Sequence, residues 1–161
     1  MSVTYAEILN GAHLARSAPG PRHELICGRL HQWVRASVAN FAGTRLLAPR
    51  TEVRLSAKHT VCPDLALVAT ATGKMWLAAE VVSSDDHQAD TVIKKQIYEE
   101  MRLPRLWMVD PRYDNVEVYH RSEYGLTLKG ILAGKELLTE KLLPEFQLTM
   151  AELFAKAAEQ G

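Results

Sequence analysis

The sequence predicts an α/β fold: a mixed central sheet flanked by helices, with an antiparallel meander at one edge. Three observations carry this. From Arg22 to Phe41, apolar residues recur at spacings of three and four, the period of a packed helix. A mostly apolar run of strand length, Met75 to Val82, is followed by a second helical period and then by another short apolar run, Leu106 to Val109. That is the order of a buried strand, a covering helix and a second buried strand. Beyond it, Val116 to Tyr119 alternates, and Tyr124 to Leu132 does so more loosely, as a meander at a sheet edge would.

The chain of 161 residues is long enough for one substantial core, and a single domain, 1–161 with its core at about 22–154, is expected. Apolar residues at 47% and charged residues at 24% suit a soluble globular protein. Nineteen basic and 19 acidic residues leave no net charge, so bulk attraction does not draw the chain to nucleic acid or membranes. A nucleic-acid role then needs a local basic patch. Cys27 and Cys62 show no zinc spacing and read as free thiols. With no basic-then-apolar leader pattern and no apolar run of membrane-spanning length, the expected compartment is the cytoplasm, with no membrane partner.

In chain order, Thr4 to Asn10 reads as a short helix capped by Thr4 and stopped by Gly11. Ser17 to Pro21 is a loop. The helix from Arg22 carries Leu25, Ile26, Leu30, Trp33, Val34, Val38 and Phe41 on its stripe and stops at Gly43. Glu52 to Ser56 alternates as a strand. Thr60 to Val68 is a longer strand-like run broken by Pro63, which places Asp64 where the chain enters the sheet. Gly73 marks a turn before the central strand. Ser83-Ser84-Asp85-Asp86 starts a helix running from about His87 to Met101, with Ala89, Val92, Ile93, Ile97 and Met101 buried. Pro104 breaks it, and Asp110-Pro111 ends the next strand. Pro144 precedes a last strand-like piece and a helix from about Met150 to Ala158.

Two acids stand in apolar surroundings, Asp64 after Pro63 and Glu80 sixteen positions later on the next strand. A tight turn between the strands brings the carboxylates side by side, where both stay ionised only against a counter-charge. Mg²⁺ or Mn²⁺ suits such a pair, with water and a substrate phosphate completing the shell. Asp90, Lys94 and Tyr98 fall at i, i+4 and i+8, one stripe of the following helix bordering its apolar face. From there Lys94 can run its stem along packed surface and present its ammonium to the acids. Plainer readings compete: Asp64 as a turn cap, Glu80 in a structural ion pair with Lys94, Tyr98 and Trp107 as core aromatics. Ser83 and Ser84 have no His–Asp partner placed to activate them, which excludes a serine hydrolase. His23, His31, His59, His87 and His120 lack ligand spacing. Arg45, Arg50, Arg54 and Lys58 are either phosphate contacts or a solvated rim.

The order of these pieces resembles the Uma-two family of the restriction-endonuclease-like, PD-(D/E)xK superfamily. The residues that carry the resemblance are Pro63, Asp64, Glu80, Val81, Ser83, Asp90, Lys94, Tyr98, Trp107, Asp110 and Pro111, and it spans roughly Arg22 to Phe154. In PD-(D/E)xK nucleases the lysine stands two residues beyond the second acid, which here is Val82; the resemblance implies that it has moved onto the helix as Lys94. It also implies a restriction-endonuclease-like fold and a metal-dependent DNA endonuclease. Asp64 and Glu80 would bind the ion and Lys94 would assist the attacking water; His23 and Glu24 both fit the place of the family's His or Glu on the first long helix, with Glu24 preferred as the supporting acid, and Asp90 and Tyr98 would support the site. Arg102 and Arg105 depart from the family's usual glycine and acid. Two other expectations stand beside this one: a catalytically silent nuclease fold that binds nucleic acid or protein, and a homodimer or higher homo-oligomer paired through the Val116–Leu132 edge.

Overall fold

The computed structural model describes residues 4–83 and 86–157. Its centre is a six-stranded mixed sheet in the order β10-β9-β8-β7-β6-β3. The strands are β3 (Thr44–Leu46), β6 (Leu65–Ala69), β7 (Met75–Val81), β8 (Arg105–Asp110), β9 (Asn115–Ser122) and β10 (Gly125–Ala133). Only β7 and β8 pair in parallel; the other neighbours are antiparallel, so β8, β9 and β10 form the expected edge meander.

The pleat sorts residues to two faces. Leu65, Leu67, Leu77, Ala79, Val81, Trp107 and Val109 point to one side, where α1 (Pro21–Val38) packs with Ile26, Leu30 and Val34. Those three helix residues are fully buried, each contributing about 1.5–3 kcal/mol over an exposed position. A two-stranded ribbon of β11 (Leu137–Glu140) and β12 (Leu143–Thr149) closes this side, with Phe146 stacked on Trp107 at 5.4 Å between ring centroids. Ala78, Val82, Leu106 and Met108 face the other side, where α2 (Lys95–Glu100) lays down Ile97 and Tyr98.

A second sheet, in the order β2-β1-β5-β4, holds β1 (Tyr5–Leu9), β2 (Ala12–Arg16), β4 (Val53–Ser56) and β5 (His59–Val61). Here the structure corrects the expected helix over Thr4–Asn10. The segment is a strand of a hairpin, with Asn10 at φ 54° and Gly11 at φ 81°. Asn-Gly is the dipeptide that closes two-residue hairpins, and Glu7 and Leu9 alternate inward. The hairpin belongs to the core, since Leu9 packs with Val61 and Tyr98, so the core begins well before residue 22.

Other boundaries also shift. α1 ends at Val38, leaving Trp33 and Phe41 more than 40% exposed. The Thr60–Val68 run is two strands in two sheets, parted at Pro63. The proposed helix start includes Ser84 and Asp85, which lie outside the described residues. From Ala89 to Lys94 the helix is π-helical before it continues as α2. The wider turn changes the buried stripe to Ala89, Asp90, Lys94, Ile97 and Tyr98, while Val92 and Met101 face solvent. The last helix, α3 (Met150–Leu153), has one turn only; Thr149 caps it by accepting the Glu152 N–H. Its continuation to Ala158 does not form: 155–157 are not helical, and Ala158 lies outside the described residues.

Candidate functional site: a buried acid–lysine centre

β5 leaves the small sheet at Val61 and β6 enters the large one at Leu65, so Pro63 and Asp64 sit at the joint between sheets. The joint is pinned from α1, whose His31 Nε2 lies 2.6 Å from the Asp64 carbonyl oxygen. Leu65 pairs with Ala79, which brings the Asp64 side chain to the end of β7. There Asp64 Oδ2 accepts the Val81 N–H at 2.8 Å, and Oδ1 accepts from Arg50 Nη1 at 3.0 Å. His23 Nε2 lies 3.5 Å from Oδ1 and 3.0 Å from the Val81 carbonyl oxygen. Burial alone would raise the Asp64 pKa, but the His23 contact and the Val81 N–H outweigh it and hold the carboxyl below its usual range. His23 moves the other way: burial opposes its charge, yet Asp64 keeps it raised.

Glu80 lies on the α2 face of the central strand and is 2% exposed. Its Oε2 is 2.7 Å from Lys94 Nζ and accepts the Tyr98 hydroxyl at 2.5 Å. Burial, opposed by Lys94 but reinforced by the charges of Glu7, Asp64 and Asp90, pushes the Glu80 carboxyl up to about 8. Lys94 is fully buried, and burial alone would lower its pKa, but Glu80, Glu7 and Asp90 hold it well above the usual lysine value. Val82, at the position of the missing strand lysine, is buried in the apolar cluster.

The structure thus brings Asp64, Glu80, Lys94, Asp90 and Tyr98 into one region. Glu24 stands further out: its carboxylate, about one-third exposed, reaches Arg50 Nη2 at 2.8 Å and His23 Nδ1 at 3.7 Å. Asp90 does not touch Glu80; its Oδ1 accepts from Arg16 Nη2 at 2.9 Å and its Oδ2 from the Ser83 N–H at 3.1 Å. Trp107 belongs to the opposite core face, and Asp110 binds Arg112. Arg45, Arg54 and Lys58 are exposed, whereas Arg50 turns inward.

Sequence reasoning missed Glu7, Arg16 and the inward role of Arg50, and it preferred Glu24 to His23, which is the one in contact with Asp64. Glu7, fully buried, accepts from Arg16 Nη1 at 2.6 Å and from the Cys62 N–H at 2.7 Å, and lies 2.7 Å from Lys94 Nζ. The available signal was Asn10-Gly11: read as a hairpin turn, it alternates Tyr5, Glu7 and Leu9 onto one face.

A cleft of about 640 Å³ opens beside this centre, lined among others by Tyr5, Arg16, Arg22, His23, Val82 and Arg112. Among the described residues no group of three or more His, Cys, Asp or Glu side chains forms a metal cage. By donor type, Asp64 and Glu80 fit a hard cation that takes one or two carboxylates and otherwise water or substrate oxygen.

The profile of the Uma2 family, described as "Putative restriction endonuclease", matches residues 4–151. A crystal structure from Anabaena variabilis ATCC 29413, titled as a "putative nuclease belonging to DUF820", superposes with a TM-score of 0.77 at 16% identity, covering 93% of this chain and 89% of that one. At that identity the likeness speaks for a shared restriction-endonuclease-like fold. No curated protein matches the chain. Among the described residues no helix is long and apolar enough to cross a membrane.

Proposed function

The chain belongs to the Uma2 family, and from that premise we propose that it is a metal-dependent phosphodiesterase, a DNA endonuclease. The observation that carries this reading is the 2.7 Å contact between Lys94 Nζ and Glu80 Oε2, made by a lysine that comes from the helix and not from the strand. Burying an ammonium is expensive, and apolar replacements of buried ion pairs are often as stable, so the pairing is better explained by chemistry than by stability.

Asp64 and Glu80 would hold Mg²⁺ or Mn²⁺. When bound, the ion supplies Lewis-acid activation of a phosphoryl oxygen and of water. The protein's own groups do the rest. Lys94, as an ammonium, orients the attacking water and faces the negative charge that builds on the pentacovalent phosphate. The water oxygen forms a new P–O bond as one ester P–O bond breaks. Tyr98 fixes the Glu80 oxygen by its hydroxyl. His23 borders the cleft and is in contact with Asp64, so the phosphodiester enters past it. Glu24 holds Arg50 from the other side and would draw it off Asp64 as the ion is taken up.

The test is plasmid cleavage with Mg²⁺ or Mn²⁺, together with calorimetry of Mn²⁺ binding. Cleavage that disappears in Asp64→Ala and Glu80→Ala supports the proposal. A wild-type protein that neither cleaves nor shows Mn²⁺ binding lost in Asp64→Ala removes it.

One observation favours a second reading, a silent nuclease fold that binds nucleic acid. Asp64 already holds Arg50 and His23, and Glu80 already holds Lys94 and Tyr98, so the charges are matched within the chain. Steeply salt-dependent DNA binding that survives Glu80→Ala, without cleavage, decides for it.

A further inference from the structure

Lys94 is held from two sides. One partner, Glu80, lies on the central strand; the other, Glu7, comes from the N-terminal hairpin, and both stand 2.7 Å from Nζ. Glu7 is itself fixed by other donors. Arg16, on the neighbouring hairpin strand, donates to Oε1, and the Cys62 N–H donates to Oε2. Cys62 lies two residues before Asp64, so the carboxylate that grips Lys94 also grips the chain entering the metal-acid position. Arg16 extends the frame, since its second amino group binds Asp90, which in turn accepts the N–H of Ser83 just beyond the Glu80 strand.

The burial makes the arrangement informative. Glu7 and Lys94 are fully buried, and Arg16 is 5% exposed. A buried ion pair seldom stabilises a fold more than apolar side chains of the same volume. What these charges achieve is geometric: a flexible four-carbon stem ends in an ammonium fixed between two anchored carboxylates.

We propose that Glu7 is a positioning residue for Lys94, and that the N-terminal hairpin is in this way part of the catalytic apparatus. What Lys94 then does to substrate rests on the nuclease reading above; where Glu7 holds it does not. Without Glu7 the ammonium keeps one anchor and the stem regains its rotamers. Misplacement by about 1 Å costs on the order of 100-fold in rate.

The experiment uses Glu7→Gln, which keeps the shape and removes the charge. The expected result is a kcat lower by about 10- to 100-fold, with KM and the Mn²⁺ dissociation constant changed by less than about twofold. A wild-type kcat, or a loss lying wholly in KM or in Mn²⁺ affinity, overturns the proposal. If Glu7→Gln fails to fold, Glu7→Asp carries the test. It keeps the charge but withdraws it by one methylene, and its kcat is expected to fall at unchanged KM; an unchanged kcat overturns the proposal. A crystal structure of the variant that folds reads position without activity. Nζ is expected to move off its place between the two side chains while Glu80 remains its one anchor, and Nζ found unmoved overturns the proposal. Should the wild-type protein neither bind Mn²⁺ nor cleave, the nuclease reading falls, and the Nζ position still decides the role of Glu7.

Discussion

Tyr98 and Glu80, eighteen residues apart, meet through a single hydrogen bond of 2.5 Å from the phenol to carboxylate Oε2. The same ring packs with Val82, Ile97, Met108 and Leu9 on the α2 side of the sheet. Tyr98 is therefore both core and site. The Tyr98→Phe substitution keeps the packing and removes one donor from a carboxylate that is 2% exposed. Leaving such a group short of a partner costs about 1–3 kcal/mol. Metal-free urea unfolding is expected to show a loss in that range with the slope unchanged.

Lys94→Met should do more damage. It leaves Glu7 and Glu80 buried with the cation between them gone. Breaking a buried pair from one side costs about 3–5 kcal/mol, most of it from the charge left behind. Thermal unfolding is expected to show a lower midpoint, and cleavage is expected to be absent even at saturating Mn²⁺. A Lys94→Met protein as stable as the wild type would mean that the two carboxylates take up a proton between them at no cost.

The pH dependence follows from Glu80. Its carboxyl is raised from the ordinary 4.5 to about 8, because burial and the neighbouring acids outweigh Lys94. The native state thus holds a proton that the unfolded chain releases near the ordinary value. Stability from this group is complete below pH 4.5 and is lost as pH rises to about 8. Glu80→Gln cannot ionise and escapes that loss. The difference in melting temperature between Glu80→Gln and the metal-free wild type is expected to shift in favour of the variant across this window. A difference that stays flat with pH would show that Glu80 titrates near its ordinary value.

The sequence made the Asp64–Tyr98 segment legible because its geometry is local. A strand, a turn near Gly73, a second strand and a helix fix Asp64, Glu80, Lys94 and Tyr98 within 35 residues. Periodicity suffices for that, although the π-helical turn rotated the buried stripe in a way that no period of 3.6 announces. The other half of the site depends on distant pairings. Arg16 meets Asp90 across 74 residues, and Cys62 meets Glu7 across 55. A buried glutamate looks like any surface glutamate until its partners are known, and reading its segment as a helix removed the alternation that points it inward. Arg50 was hidden in a similar way: it looked like one of four surface cations, whereas the loop before β4 turns it onto Asp64.

Arg50 gives the last prediction. It binds Asp64 Oδ1 at 3.0 Å and Glu24 Oε1 at 2.8 Å, and its side chain is 16% exposed. A guanidinium on this carboxylate occupies the acceptor that the proposed divalent ion would need, so binding of that ion would require Arg50 to withdraw. Asp64 cannot use the same lone pairs for both. Removing the competitor in Arg50→Ala is expected to tighten Mn²⁺ binding by about tenfold, the equivalent of roughly 1.4 kcal/mol. The measurement is calorimetric titration at low salt against wild type, with Asp64→Ala as the variant that binds nothing. Weaker Mn²⁺ binding in Arg50→Ala would reverse the argument: Arg50 would then hold Asp64 in place for the ion, not against it.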